Sequence, residues 1–198
     1  MERGRKEMAE VKKRRKKTTY NVEPLRTPEE IKEFKDALLY VCTERDWFMF
    51  VLGINTGLRI SDILKLKVGD IRGKTSAVII EEKSRKERKL FLGSIQNEII
   101  QYCEDKADED YLFPSKKGGK PISTTQAYRV LAKVADWLGR DDIGTHTMRK
   151  TFGYHYYKKT KDIATLMEIF NHSAPHITKR YIGITDDEIE SSLVGFKL

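Results

Sequence analysis

The chain has 198 residues, enough for one domain of ordinary size or one domain with an appendage. Its 39% hydrophobic residues can build a core beneath a surface charged at 34% of positions, and it contains no uncharged apolar run of the ~18 residues that a membrane span needs. Two cysteines, Cys42 and Cys103, cannot form a disulfide framework or, by themselves, a four-ligand zinc site. Met1–Tyr20 is charged throughout and lacks the apolar middle of a secretion signal, so the expectation is a cytoplasmic, metal-independent protein with no membrane partner.

Lysine and arginine exceed aspartate and glutamate by 38 to 30, and most of that excess lies at the start. Met1–Tyr20 carries nine bases against three glutamates, a net +6 out of the chain's +8. The block Lys12, Lys13, Arg14, Arg15, Lys16 and Lys17 repels itself, stays solvated and seeks phosphate. Residues 1–22 therefore read as a basic flexible arm or linker. Nucleic-acid contact is favoured over a mere solubility tail.

The folded unit begins near Thr27. Thr27-Pro28-Glu29-Glu30 is a helix start in which threonine caps, proline takes the first turn and Glu30 closes a capping box. Ile31, Phe34, Leu38, Leu39 and Val41 follow at helical spacing. A second helix, about Asp46 to Asn55, stops at Thr56-Gly57, and Ser61-Asp62 opens a short third one carrying Ile63, Leu64 and Leu66. After Gly73 the texture turns to β: Ser76–Glu81 and Lys89–Leu92 flank a basic connector, Lys83–Arg88, and predict a hairpin. Gly118-Gly119 marks a further turn. Helices are predicted again at Ile95–Lys106, Thr124–Leu138, Thr147–Lys158 and Ile163–Phe170. Thr185-Asp186-Asp187-Glu188 is a last capping box, before a short helix with Ile189 and Leu193 on one face. The expected fold is α+β, mostly helical with one small antiparallel sheet.

Several chemistries are poorly supported. Gly73-Lys74-Thr75 hints at a phosphate loop, but the glycine needed five residues earlier is Val68, and a strand follows where a helix is required. His146, His155, His172 and His176 lack the acidic and cysteine neighbours of a zinc site. What remains is a set of phosphate-loving groups. Arg59 sits at the tight Thr56-Gly57-Leu58-Arg59 junction, where alone it would pass for an ordinary surface arginine. His146 and Arg149 share one face at a helix start, where free amides favour an anion. Asn171-His172-Ser173 opens the loop after the next helix, with Tyr181 nine residues beyond His172.

Together these segments resemble the tyrosine recombinase (phage integrase) family. The matching stretches are Thr56–Leu64, Lys83–Arg88, His146-Thr147-Met148-Arg149, Asn171-His172-Ser173 and Tyr181-Ile182-Gly183. Each is short, and it is their order and spacing that carry the likeness, from about Thr27 to the C-terminus. Two departures stand out. Asn171 occupies a position that is usually glycine, although asparagine tolerates the left-handed conformation. Only the basic arm precedes Thr27, where family members usually carry a helical core-binding domain. The chain reads as a catalytic piece of a longer protein or as a short recombinase.

The resemblance implies a catalytic domain over residues 23–183 and a tail helix over 184–198 that docks on a neighbouring protomer or packs on its own domain. It implies cutting and rejoining of double-stranded DNA through a 3′-phosphotyrosine, without cofactor or metal, by a homo-oligomer (dimer or tetramer) on DNA. Tyr181 is then the nucleophile and Arg59 and Arg149 clamp the phosphate. His146 is base or orienting partner, His172 bonds a phosphate oxygen, and Lys83 is the general acid. Asp62 is read as a structural partner. Arg85, Lys86 and Arg88 join the arm as DNA contacts. The alternatives are a type IB topoisomerase-like strand-passage enzyme and a non-catalytic DNA-binding accessory protein descended from a recombinase.

Overall fold

The structure, a computed structural model, describes residues 22–184, 191 and 193–197. The basic block Lys12–Lys17, the Thr185–Glu188 capping box and Ile189 lie outside the described residues.

Helix α1 (Pro28–Val41) starts at its capping box: Thr27 Oγ1 accepts from the Glu30 amide at 3.1 Å, and the Glu30 carboxylate accepts from the Thr27 amide at 3.0 Å. Helix α2 (Glu44–Thr56) begins before the expected Asp46, because Thr43 is the residue that caps it. Its centre, Phe48 to Leu52, is buried on every side, so α2 is the axis of the main core. The left-handed stop falls on Gly57, with φ 60°. Two single-turn helices follow, α3 (Ile60–Ile63) and α4 (Val68–Ile71), the second unforeseen because one turn leaves no periodic pattern to read.

Strands β1 (Ser76–Ile80) and β2 (Glu87–Phe91) pair antiparallel, with Ser76 opposite Phe91 and Ile80 opposite Glu87. The period of two puts Ala77, Ile79, Arg88 and Leu90 on the inner face and Val78, Ile80, Lys89 and Phe91 outside. A 3₁₀ turn (Gly93–Ile95) leads into α5 (Gln96–Cys103), shorter than expected; the Cys103 carbonyl at its end accepts from Arg72 Nη2 at 2.6 Å. Gly118 and Gly119 both have positive φ in the predicted turn, which Ser115 and Lys120 close.

The remaining helices are α6 (Thr124–Trp137), α7 (Thr145–Thr160), α8 (Ile163–Phe170) and α9 (Pro175–Tyr181). Helix α9 was not legible as a helix, being seven residues of mixed character. Helix α7 joins two cores: Met148 belongs to the main one, built around α2, while Tyr154 belongs to a smaller one with Leu166, Phe170 and Ile182. Gly53 permits the close approach of α2 to α7, since a Cβ there would lie 2.6 Å from Met148 Sδ. Among the described residues no helix is long and apolar enough to cross a membrane.

Gly57 is the tightest point of this packing. Its φ of 60° suits glycine, and a Cβ would fall 2.4 Å from Phe152 Cδ1 on α7. Gly57→Ala is expected to lower folding stability by about 1–3 kcal/mol, read as a lower Tm in thermal melting. An unchanged Tm would show that the α2–α7 contact relaxes freely.

Candidate active site

One open pocket of about 350 Å³ is lined by Arg59, Lys83, Ser84, His146, Arg149, Asn171, His172 and Tyr181. These residues come from five places in the chain. Arg59 follows the Gly57 stop and precedes α3; Lys83 and Ser84 sit in the β1–β2 turn. His146 and Arg149 lie in the first turns of α7, Asn171 and His172 just past α8, and Tyr181 at the end of α9. The six residues that the motifs singled out as catalytic candidates thus share one cavity.

Arg149 is 3% exposed. Its Nη1 donates to the Gly57 carbonyl at 2.6 Å and its Nη2 to the Phe170 carbonyl at 3.0 Å, with the guanidinium 4.2 Å from the Phe170 ring centroid. Burial pushes its pKa down to about 10, which still leaves it charged at neutral pH. Arg59 Nη1 donates to Glu81 Oε2 at 2.9 Å. Arg59 is held at Nη1 and Arg149 at both Nη1 and Nη2, and each keeps further N–H groups for an anion.

Tyr181 is half-buried, and its hydroxyl lies 3.0 Å from His146 Nδ1. In the tautomer with Nδ1 unprotonated, the phenol donates to the imidazole. Burial raises the tyrosine pKa, opposed by the charges of Arg149 and Arg59. Desolvation, with the positive charges of Arg149, Lys150, Arg59 and Lys83, lowers that of His146. The pair is therefore a protonated phenol beside a neutral base. His172 Nδ1 bonds Thr178 Oγ1 at 2.9 Å on α9, which fixes the ring and leaves Nε2 for another partner. Asn171 takes the left-handed conformation, φ 53°, and its Oδ1 accepts from Lys86 Nζ at 3.0 Å.

Residues 26–188 match the sequence model of the phage integrase family. The chain belongs to the phage integrase family. It is 52% identical over 176 residues to the probable integrase/recombinase YoeC of Bacillus subtilis, covering 88% of this chain and 97% of that protein. It is 31% identical over 153 residues to the tyrosine recombinase XerD of Corynebacterium glutamicum, covering 73% of this chain but only 50% of the relative. Among solved structures, the XerA recombinase superposes with a TM-score of 0.71 at 19% identity, over 91% of this chain and 66% of the other. A lambda integrase dimer bound to a core site gives 0.67 at 16% identity, over 87% and 51%. The α+β fold expected from the sequence, mostly helical with a small antiparallel sheet, is the catalytic-domain fold of tyrosine recombinases.

Against this integrase frame, the hairpin cations divide. Arg85 and Lys86 are exposed in the turn. Arg88 is not placed as a DNA contact would be: it turns inward, donating to the Thr56 carbonyl at 2.5 Å and to Glu81 Oε1 at 3.2 Å. The reason is register, since Arg88 faces the core alongside Leu90. The same alternation brings in Glu81, which the motifs had missed. It continues the Ala77, Ile79 face of β1 and is buried against Arg59, Arg88 and Ser84. Asp62 is buried too; its Oδ1 accepts from the Glu82 amide at 2.8 Å. Lys150 was also overlooked: its ammonium lies 5.6 Å from the Tyr181 ring centroid and bonds the Val22 carbonyl. Among the described residues no group of three or more His, Cys, Asp or Glu gathers as metal ligands would.

The His146 environment sets a pH expectation. Because the folded-state pKa lies below the usual 6.5, the imidazole stays neutral as pH falls through that value and gains its proton only below it. An NMR titration of the DNA-free protein should place the His146 midpoint under 6.5, and Arg149→Gln should move it upward. A wild-type midpoint above 6.5 contradicts the electrostatic account.

Proposed function

We propose that this integrase-family chain is a site-specific DNA recombinase that cuts and rejoins double-stranded DNA through a covalent 3′-phosphotyrosine. The observation that carries the reading is the 3.0 Å contact of Tyr181 with His146 Nδ1 in a pocket shared by Arg59, Arg149, His172 and Lys83. In the first step the Tyr181 oxygen attacks phosphorus as its proton passes to His146. The bond from phosphorus to the 5′-oxygen breaks, and Lys83 protonates the departing oxygen. Arg59, Arg149 and His172 Nε2 stabilise the charge that gathers on the non-bridging oxygens. Because the phosphotyrosine keeps the energy of the broken backbone bond, rejoining runs by the reverse steps.

The exposed tail favours a recombinase over a strand-swivelling topoisomerase. Leu193, Val194 and Phe196 present apolar surface to solvent, as suits a segment that docks on a second protomer of a dimer or tetramer on DNA. The DNA-bound XerH and the DNA-bound lambda integrase dimer among the structural neighbours support DNA as substrate and an assembled state on it. The tyrosine–histidine pair argues against a binder that has lost its chemistry, since binding needs no nucleophile.

Tyr181→Phe is expected to bind DNA as the wild type does and to form no covalent adduct on a nicked suicide substrate, because it loses one oxygen and keeps its ring packing. An undiminished adduct would assign the nucleophile elsewhere. Removing residues 1–20 is expected to flatten the dependence of log K on log salt by several units, each neutralised phosphate contributing about −0.9. An unchanged slope would make the arm a linker alone.

A further inference from the structure

Glu81 has no part in the steps above, yet it is 4% exposed and lies two residues before Lys83. A carboxylate beside a phosphate site repels the anion the site is built to hold. Its contacts show a different use. Oε2 accepts from Arg59 Nη1 at 2.9 Å and from Ser84 Oγ at 2.8 Å, while Oε1 accepts from Arg88 Nη1 at 3.2 Å. One side chain thus touches a pocket arginine, the lysine-bearing turn and, through Arg88, the Thr56 carbonyl at the end of α2. Burial acts to raise the Glu81 pKa, but the Ser84, Arg59 and Arg88 bonds hold it below the usual carboxylate value, so it is an anion at neutral pH. Asp62 moves the other way, raised by burial and by the Glu81 charge, and it grips the Glu82 amide beside Lys83.

We propose that Glu81 is a positioning residue for strand cleavage: its carboxylate aims Arg59 at the phosphate and, through Ser84, holds the turn that keeps Lys83 at the pocket. This rests on the strand-cleavage reading of the same site. A guanidinium tied at Nη1 loses the swing of its long side chain before DNA arrives, so its free N–H groups meet the phosphate with less ordering still to be done. Arg88 is the anchor, clamped between Glu81 and the α2 terminus, and it gives Glu81 a fixed orientation. Glu81 itself touches no reacting atom.

The test is single-turnover cleavage of ordinary DNA and of DNA with sulfur at the bridging 5′ position. Sulfur leaves without a proton, so it relieves a misplaced lysine but not a misplaced arginine. Glu81→Gln should slow cleavage of ordinary DNA about 10²-fold, with sulfur returning only part of the rate. Its DNA affinity should fall less than about threefold, since a buried carboxylate neutralises no phosphate. Ser84→Ala should slow cleavage about tenfold, the size of one bond to a charged group, and sulfur should return nearly all of it. Wild-type cleavage by Glu81→Gln overturns the proposal, as does a Ser84→Ala variant that is unimpaired or that sulfur fails to relieve. If Glu81→Gln unfolds because Arg88 loses its partner, as thermal melting would report, Ser84→Ala decides. Lys83→Ala is run beside them. Were sulfur not to relieve that variant, the acid role of Lys83 and the coupling built on it would both fall; relief of Lys83→Ala without relief of Ser84→Ala would remove the coupling alone.

Discussion

Positive charge crowded around one pocket is the constraint on which the rest of the structure depends. Arg59, Arg149 and Lys83 line one space with Arg88 packed behind Glu81, and like charges in a partly desolvated site repel strongly. The fold meets that repulsion with fixed dipoles and one buried anion. The Gly57 and Phe170 carbonyls take Arg149, the Thr56 carbonyl takes Arg88, and Glu81 sits between Arg88 and Arg59. In the strand-cleavage reading proposed above, this holds the pocket ready for a phosphate, the property that lets electrostatics lower a barrier without rearrangement.

That arrangement explains why the α2–α3 junction is so tightly specified. The peptide carbonyls at Thr56 and Gly57 are free to accept because the helix ends there, and it ends there because Gly57 adopts φ 60°. The same residue lets Phe152 close against it, bringing α7 and its Arg149 within reach of those carbonyls. Local backbone geometry, interhelical packing and guanidinium placement are three consequences of one glycine.

The tyrosine proposed as nucleophile is positioned by a different part of the molecule. Tyr181 belongs to the smaller core, packing on Phe170 and His172 with ring centroids 5.5 and 5.3 Å apart. His146 is exposed at the start of α7, the end of the helix whose Met148 belongs to the main core. The tyrosine–histidine contact therefore spans the seam between the two cores, and α7 is the rigid element that carries both registers. Any shift of α8 and α9 against α7 would change that distance directly, and with it the Arg149 bond to the Phe170 carbonyl, while the Arg149 bond to the Gly57 carbonyl lies outside the shifting helices.

Much of this was legible in the chain itself. Caps, stops and periodicity marked α1, α2, α6 and α8, and short motifs in order marked Arg59, Lys83, His146, Arg149, His172 and Tyr181 as members of one pocket. Those signals are local: a threonine followed by glutamate, a glycine after an apolar run, a histidine three residues before an arginine. Tertiary structure decided what depends on pairing across distance. The hairpin register turned Arg88 and Glu81 inward, and nothing within the basic Lys83–Arg88 run distinguishes an inward cation from an outward one until the opposite strand is placed. Helices α4 and α9 are too short to carry a period, so their local start signals, the Asp70 carboxylate on the Lys67 amide and Pro175 in the first turn, needed packing to become helices. The sequence by itself determined which groups were present to do chemistry; which of them face the pocket, and which hold the others still, followed from the contacts that burial forces on charged side chains.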